Sequence, residues 1–197
     1  MKVIGITGSS GSGKTALSKI ISEKEFAKII DADKVVKEMS VPGTEYLNSI
    51  KETFGKEVFL ENGSLDRKKL ASKIYNDKNA CDALNKLTFK FVVDEIIKRL
   101  EESKKKNFEY IAIDAPLLFE SNLNKYCDYV ISLVADEITK IKRICKRDKI
   151  DEETARKRLQ IQQTNEYYIQ KSDFIIENLE ECNLEKEVEK IFEKISK

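Results

Sequence analysis

Short apolar runs alternate with amphipathic stretches along much of the chain. Helical spacing of apolar residues predicts one helix from Lys14 to about Glu23 and another over 184–196. Strands that alternate with helices are typical of a parallel sheet covered on both faces. The pattern predicts an α/β protein with a five-stranded parallel sheet, whose strands lie at 2–7, 26–30, 109–113, 129–134 and 173–176.

Two long stretches do not fit simple strand-to-strand crossovers. Residues 34–106 carry helical patterns without a convincing central strand, with Ser64 or Asp66 as a possible helix cap. Residues 136–169 form a second helical excursion, rich in Arg and Lys, in which Asp151 can cap a new helix. We expect a core of about 1–33, 107–135 and 170–197, a helical insertion of about 34–106, and a lid of about 136–169.

A glycine-rich segment directly follows the first predicted strand. Residues 8–15 read GSSGSGKT and match the phosphate-binding pattern G-x-x-x-x-G-K-[ST]. Glycines allow the backbone N–H groups of such a loop to converge on a polyphosphate, and the following helix points its N-terminus at the same place. Lys14 can bridge the β- and γ-phosphates, and Thr15 can offer its hydroxyl to Mg²⁺. The glycine spacing disfavours dinucleotide binding, which uses G-x-G-x-x-G.

Carboxylates follow the second and third predicted strands. Asp31 and Asp33 come after the second strand, and Asp114 ends the run that forms the third. Ligands of open parallel sheets bind at the carboxyl ends of the strands. We expect one of Asp31 and Asp33 to cap the next helix and the other to accept or position a proton. Asp114 is a candidate for Mg²⁺ binding, directly or through water, with a loop cap as the alternative.

Four arginines lie in the second helical excursion. Arg143 and Arg147 are four residues apart and share one helix face, and Arg156 and Arg158 follow on the next helix. Guanidinium groups stabilise the charge of a transferring phosphoryl group, and a closing flap excludes water. A solvated charged surface is the alternative. Together with the phosphate loop, the arginines favour a catalytic lid.

Overall charge and cysteine spacing narrow the class of protein. The 36 Lys and Arg residues balance 35 Asp and Glu residues, so we expect no general attraction to nucleic acid or to membranes. The four cysteines lack CxxC spacing and the chain has no histidine, which argues against a zinc site. Without a signal peptide or an apolar run of about 18 residues, the sequence favours a cytoplasmic protein with reduced thiols.

The ordered set of motifs resembles the dephospho-CoA kinase family over nearly the whole chain. The segment 114–120, DAPLLFE, is the most specific part of the resemblance. One departure is Phe89-Lys90, where the family usually has His-Pro. The other matching positions are Ile6 to Gly8, Gly11 to Thr15, Asp31-Ala32-Asp33, Pro42-Gly43-Thr44, Asn62 to Arg67 with Leu70, Arg143, Arg147-Asp148, Ala155, Arg158, Gln162, Asp173 and Asn178.

The resemblance implies a three-layer P-loop NTPase fold with a helical substrate-binding insertion and a helical lid. It implies transfer of the ATP γ-phosphate to the ribose 3′-hydroxyl of dephospho-CoA, with Mg²⁺ as cofactor. The implied partners are ATP and dephospho-CoA, without nucleic acid or membrane, and the implied assembly is a monomer or a small homo-oligomer.

The resemblance also implies roles for individual residues. Asp33 would be the general base or orienter, with Lys14, Arg143 and Arg147 as further catalytic groups. Thr15 and Asp114 would bind the metal, and the acceptor substrate would contact Asp33, Asp114 and Leu118. Asn178 would lie near the adenine of ATP. The implied ATP-binding residues are Gly8, Gly11, Ser12, Gly13, Lys14, Thr15, Ala16 and Asn178.

Two other classes share parts of this pattern. Other small-molecule P-loop kinases have the phosphate loop, the lid and the strand-end carboxylates, but differ in the helical insertion. A GTPase switch reads guanine through N-K-x-D, and the segment 124–128, NKYCD, places its aspartate one residue late. A nucleotide-preference assay separates these classes.

Overall fold

Five parallel strands form a single sheet. The computed structural model describes residues 1–24, 26–75, 77–106 and 108–196. The strand order in the sheet is β2-β3-β1-β4-β5. Every strand begins and ends within one residue of its predicted position, and the strands are β1 Lys2–Thr7, β2 Ala27–Asp31, β3 Tyr110–Asp114, β4 Tyr129–Val134 and β5 Phe174–Glu177.

The central position of β1 explains its apolar sequence. The strand pairs in parallel with β3, where Gly5 faces Ile113, and with β4, where Gly5 faces Val130. Ile4 and Ile6 are completely buried. They share a hydrophobic cluster with side chains of α1, Lys14–Ser22, and of α9, Leu184–Ile195. A strand with neighbours on both sides and covered faces requires a continuous apolar run, as this sequence has.

The excursion between β4 and β5 folds into three capped helices. Asp136, Asp151 and Thr164 each accept a hydrogen bond at a helix N-terminus, which confirms the predicted Asp151 cap. Ile141, Ile144 and Ala155 form a small cluster that packs the first two of these helices together. The helices are α6 Glu137–Asp148, α7 Glu152–Gln160 and α8 Asn165–Lys171.

Backbone contacts divide the chain into two compact units. The first comprises Met1–Ile30 with Glu102–Lys197, and the second comprises Asp31–Glu101. The substrate-binding and lid roles expected for the helical segments remain predictions. The predicted segment limits at residues 107 and 197 lie outside the described residues.

The second unit has a helical core of its own. A cluster of Tyr46, Ile50, Phe54 and Leu70 packs against partly buried side chains that include Phe91. Asp66 caps α4, which decides between the two caps considered for that helix. The helices that begin in this unit are α2 Ala32–Met39, α3 Glu45–Phe54, α4 Arg67–Ile74 and α5 Lys78–Lys104.

The described part of the chain contains no helix with both the length and the apolar character needed to cross a bilayer.

All four cysteines are free thiols. Burial raises the pKa of Cys127 to about 12, with smaller contributions from Asp128 and Asp173. This thiol stays protonated at neutral pH and is unsuited to nucleophilic chemistry.

The junction between β2 and α2 generates a stability prediction. The Oδ1 atom of Asp31 accepts a hydrogen bond from the Lys34 N–H at 2.9 Å and caps α2. Asp31→Ala should lower the free energy of unfolding by about 1 kcal/mol, the usual contribution of an N-cap. Asp31→Asn should lose much less, because asparagine caps helices equally well. Urea denaturation measures both variants, and equal losses would contradict a capping role.

Candidate active site

The loop between β1 and α1 is enclosed so tightly that side chains do not fit at its glycines. Gly11 has a φ of +78°, and a Cβ atom there would lie 2.6 Å from the Lys140 carbonyl oxygen. Gly13 has a φ of +108°, and its Cβ atom would lie 2.0 Å from the Asn178 Nδ2 atom. Only glycine satisfies both the backbone angles and the contact distances. Neighbouring elements therefore fix the path of the loop.

The N-terminus of α1 is suited to an anion. Gly13 occupies the N-cap position, and no side chain of the described residues caps this helix. The first N–H groups of a helix without a side-chain cap remain available to a ligand, and the helix dipole favours negative charge there. The Lys14 Nζ atom donates to the Gly8 carbonyl at 2.5 Å and to the Ser9 carbonyl at 3.2 Å. A cation thus lies over the loop.

Asn178 supports the phosphate loop from the end of β5. Its side chain is 8% exposed, and its Nδ2 atom donates to the Ser12 carbonyl at 2.7 Å. Its backbone N–H donates to the Val134 carbonyl at 2.8 Å. The space left by Gly13 is where this amide lies. The expected contact of Asn178 with adenine remains a prediction, whereas the structure gives this residue a role in holding the loop.

Asp114 lies beside the first turns of α1. It ends β3 opposite Ile6 of β1, and its Oδ2 atom accepts a hydrogen bond from the Ser18 hydroxyl at 2.5 Å. Ser18 follows Thr15 by one helical turn, so the structure brings the Asp114 carboxylate to the helix that carries the Thr15 hydroxyl. Such oxygen ligands suit Mg²⁺. Within the described residues, no group of three or more His, Cys, Asp or Glu side chains could hold a metal ion.

The two arginines that the family resemblance implies as catalytic groups, Arg143 and Arg147, contact the phosphate loop. The Arg143 Nη1 atom donates to the Gly11 carbonyl at 3.3 Å. The Arg147 Nη2 atom donates to the Ser10 hydroxyl at 3.2 Å. These two guanidinium groups, four residues apart on α6, therefore lie at the same loop as the Lys14 ammonium.

The other two arginines of this region are held by carboxylates. Arg158 pairs with Asp148, and Arg156 pairs with Glu137. Asp148 also binds Arg147 through two hydrogen bonds of 2.7 and 2.9 Å. Hydrogen bonds from Arg147, and then from Arg158, lower the pKa of Asp148 to about 2. The Asp148 carboxylate is therefore ionised at neutral pH and orients Arg147 toward the loop.

Lys140 is a buried lysine that sequence reasoning missed. It is 8% exposed, and its Nζ atom donates to the Asn165 Oδ1 atom at 3.1 Å. The Asn165 amide donates to the Ala135 carbonyl at 2.9 Å, which ties α6 and α8 to the end of β4. Burial lowers the pKa of Lys140, and this effect is opposed by the nearby carboxylates of Glu137, Asp136 and Glu166.

Leu118 and Asp33 are two further predicted site residues. Leu118 is completely buried, and its Cδ2 atom would lie 2.7 Å from a Cβ atom at Gly5. The Leu118 side chain packs against β1, whereas the neighbouring Leu117 is 49% exposed, and the expected contact of Leu118 with substrate remains a prediction. Asp33 is exposed in the first turn of α2, in the second unit, and its role remains a prediction.

Comparison with known proteins assigns the chain to a family. The family model described as dephospho-CoA kinase matches residues 2–183. The chain belongs to the dephospho-CoA kinase family. A dephospho-CoA kinase from Fusobacterium nucleatum is 39% identical over 196 residues, which cover 98% of each chain. A dephospho-CoA kinase from Bacillus cereus is 35% identical over 176 residues, which cover 89% of this chain and 88% of the relative.

Solved structures agree with this family assignment. Dephospho-CoA kinase from Campylobacter jejuni superposes with a TM-score of 0.70 at 28% identity, covering 98% of this chain and 96% of that chain. Shikimate kinase from Acinetobacter baumannii, at 16% identity and a TM-score of 0.57, shares the fold, covering 100% of this chain and 93% of that chain. The predicted family and the predicted α/β fold of P-loop kinases are confirmed.

The position of Asn178 generates a prediction that separates its two possible roles. Asn178→Ala should weaken the binding of ATP and GTP by similar factors of about fivefold or more, because the Ser12 carbonyl loses its donor. The two nucleotides share the phosphates that the loop would hold. Calorimetry with each nucleotide measures the effect, and Glu177→Ala, an exposed neighbour, serves as the control. A selective loss of ATP binding would instead identify Asn178 as an adenine contact.

Proposed function

We propose that this member of the dephospho-CoA kinase family transfers the γ-phosphate of ATP to the ribose 3′-hydroxyl of dephospho-CoA, yielding CoA and ADP. The observation that carries the proposal is the family match across residues 2–183, which includes the phosphate loop, Asp114 and both loop-facing arginines. The family is one of ATP-dependent kinases, and the local geometry accounts for how such a kinase would hold its nucleotide.

In the proposed complex, the phosphate loop and the N-terminus of α1 bind the β- and γ-phosphates. The Lys14 ammonium exchanges its contacts with the Gly8 and Ser9 carbonyls for contacts with phosphate oxygens. The displacement is local, because the Lys14 side chain already lies over the loop. Backbone N–H groups provide the remaining donors without any change in the path of the chain.

Arg143 and Arg147 stabilise the phosphoryl group during transfer. Both lie at the loop, and Asp148 holds Arg147 in a fixed orientation. Donors that are oriented in advance stabilise developing charge without reorganisation at the moment of reaction. A bond forms between the acceptor oxygen and the γ-phosphorus, the bond from that phosphorus to the bridging oxygen breaks, and ADP leaves.

Asp33 accepts the proton of the attacking hydroxyl, or holds that hydroxyl in line. It lies two residues beyond the end of β2, and ligands of parallel sheets bind at this edge. Asp31 is occupied as a helix cap, which leaves Asp33 as the carboxylate of this segment that is exposed in the first turn of α2. A carboxylate within hydrogen-bond reach provides the acid–base group that this reaction needs.

Asp33→Asn should lower kcat by about 10²-fold or more, while ATP affinity and melting temperature stay near the parent values. Asp94→Asn, an exposed carboxylate on α5, serves as the control. Single-turnover kinetics and calorimetry measure the rate and the affinity. If Asp33→Asn transfers phosphate at the parent rate, the proton acceptor is another residue.

Mg²⁺ is the proposed cofactor. Bound with ATP, the ion would neutralise charge on the β- and γ-phosphates and orient them. Thr15 and Asp114 are the residues that would hold it, and the hydrogen bond from Ser18 orients the Asp114 carboxylate. Phosphate oxygens and water would complete the coordination, since Mg²⁺ usually keeps few protein ligands in such sites.

Ser18→Ala should raise the Mg²⁺ concentration for half-maximal activity about tenfold, the usual effect of losing a group that orients a metal ligand. The rate at saturating Mg²⁺ should recover toward the parent value. Ser22→Ala is the matched control, because this hydroxyl donates to the Lys19 carbonyl at 2.7 Å, on the same helix. An unchanged Mg²⁺ requirement in Ser18→Ala would argue against metal binding by Asp114.

The proposed partners are small molecules. The net charge of +1 supports an enzyme without nucleic-acid or membrane partners. Its use of ATP and its free thiols support a cytoplasmic location. We propose that it acts as a monomer or as a small homo-oligomer, which sedimentation measurements resolve.

A direct assay tests the proposed reaction. The protein is incubated with Mg-ATP and with dephospho-CoA, AMP or shikimate as acceptor, and ADP formation is measured. We expect turnover that depends on dephospho-CoA, with CoA identified by mass spectrometry. Equal turnover with all three acceptors would contradict the proposed substrate.

Lys14→Ala should nearly abolish transfer in the same assay while the protein stays folded, because this residue supplies the loop's positive charge.

A further inference from the structure

A glutamine outside the predicted set of site residues contacts the phosphate loop. Gln162 lies between α7 and α8 and is half-buried. Its Oε1 atom accepts a hydrogen bond from the Ser10 backbone N–H at 2.8 Å. The bonds from Arg147 and Arg143 to this loop are longer, at 3.2 and 3.3 Å. The glutamine thus makes the shortest of these three hydrogen bonds between the helical excursion and the loop.

The contacts around Ser10 form a closed circuit. Gln162 binds the Ser10 N–H just beyond the C-terminal end of α7. On α7 itself, Arg158 pairs with Asp148, which in turn orients Arg147. Arg147 then donates to the hydroxyl of the same Ser10. Ser10 is therefore contacted from α6, through Arg147, and from just beyond the end of α7, through Gln162.

This circuit restricts the movement of Arg147 more than either contact does alone. A long guanidinium side chain with one distant hydrogen bond retains many rotamers, and ordering it costs conformational entropy. The bond from Gln162 holds α7 against the loop, and α7 holds Asp148, which fixes the direction of Arg147. The backbone around Gln162 is itself fixed, because its N–H donates to the Leu159 carbonyl at 3.0 Å.

We propose that Gln162 is a positioning residue that seats the α6–α7 hairpin on the phosphate loop and thereby sets Arg147 for phosphoryl transfer. The inference rests on the proposed function insofar as Arg147 acts on the transferring phosphate. The essential group of Gln162 is its side-chain oxygen, which accepts a hydrogen bond from the Ser10 N–H. The residue needs no contact with either substrate.

Three variants test the role of the side-chain oxygen. Gln162→Met keeps the length of the side chain but loses the oxygen acceptor. Gln162→Glu keeps an oxygen acceptor and adds a negative charge beside the phosphate loop. Gln163→Met is the matched control, because Gln163 is the next residue and is exposed. Melting temperatures establish that each variant is folded before its kinetics are measured.

We expect Gln162→Met to lower kcat about fivefold to tenfold, the scale of one hydrogen bond, with a smaller change in KM for ATP. Gln162→Glu should retain kcat within about twofold at saturating ATP but raise KM, because its charge repels the phosphates. Gln163→Met should behave like the parent. If Gln162→Glu loses as much kcat as Gln162→Met, the oxygen acceptor is not what matters and the proposal is wrong.

A second measurement does not depend on activity. Limited trypsin digestion of the nucleotide-free proteins, with cleavage sites mapped by mass spectrometry, reports how firmly the α6–α7 hairpin is seated. Gln162→Met should be cut faster than the parent after Arg143, Arg147, Arg156 and Arg158, and Gln163→Met should not. Equal cleavage rates would overturn the seating role even if the proposed reaction is confirmed. Conversely, a parent protein inactive with dephospho-CoA would refute the proposed function, while the digestion would still test the contact.

Discussion

The enclosure of the phosphate loop by other elements is the constraint on which the site depends. The loop's glycines leave no space for Cβ atoms, because the Lys140 carbonyl lies against Gly11 and the Asn178 amide lies against Gly13. These contacts come from α6 and from the end of β5, which are distant in sequence. A flexible glycine-rich segment would lose much entropy on binding a nucleotide. Here neighbouring elements already fix the path of the segment, so that less of this entropy remains to be lost when a ligand binds.

Ion pairs also order the charged side chains near the phosphate loop. Asp148 lies between Arg147 and Arg158 and keeps a low pKa, so it remains an anion at any pH at which the enzyme would work. A solvent-exposed ion pair contributes little to the stability of a protein. The pair of Asp148 with Arg147 instead selects one orientation of the Arg147 side chain, which would otherwise sample many rotamers. The buried Lys140 side chain is held in the same way, through its hydrogen bond to the half-buried amide of Asn165.

The fold was more predictable from sequence than the site. Strand limits were predictable because a buried strand needs a continuous apolar run, and the cap at Asp151 because it lies next to the helix that it begins. For the helix after β2, the sequence left Asp31 and Asp33 as alternative caps. The role of Leu118 was harder to predict, because an apolar residue in a motif looks alike in sequence whether it touches substrate or packs beneath Gly5. Lys140 gave no local signal, and Gln162 matched the family pattern without an assigned role, since the burial of a lysine and the partner of a glutamine depend on residues far away in the chain. Ser18 could have been found, one helical turn beyond Thr15.

Ser10 shows what a sequence pattern leaves out. The phosphate-binding pattern allows any residue at this position, yet the fold uses both its backbone N–H and its hydroxyl. A proline there would still match the pattern but would remove the donor that Gln162 accepts from. A glycine would keep that donor and abolish the acceptor for Arg147. Substitutions at position 10 therefore change the contacts of positions 147 and 162, and we expect the three positions to covary among relatives.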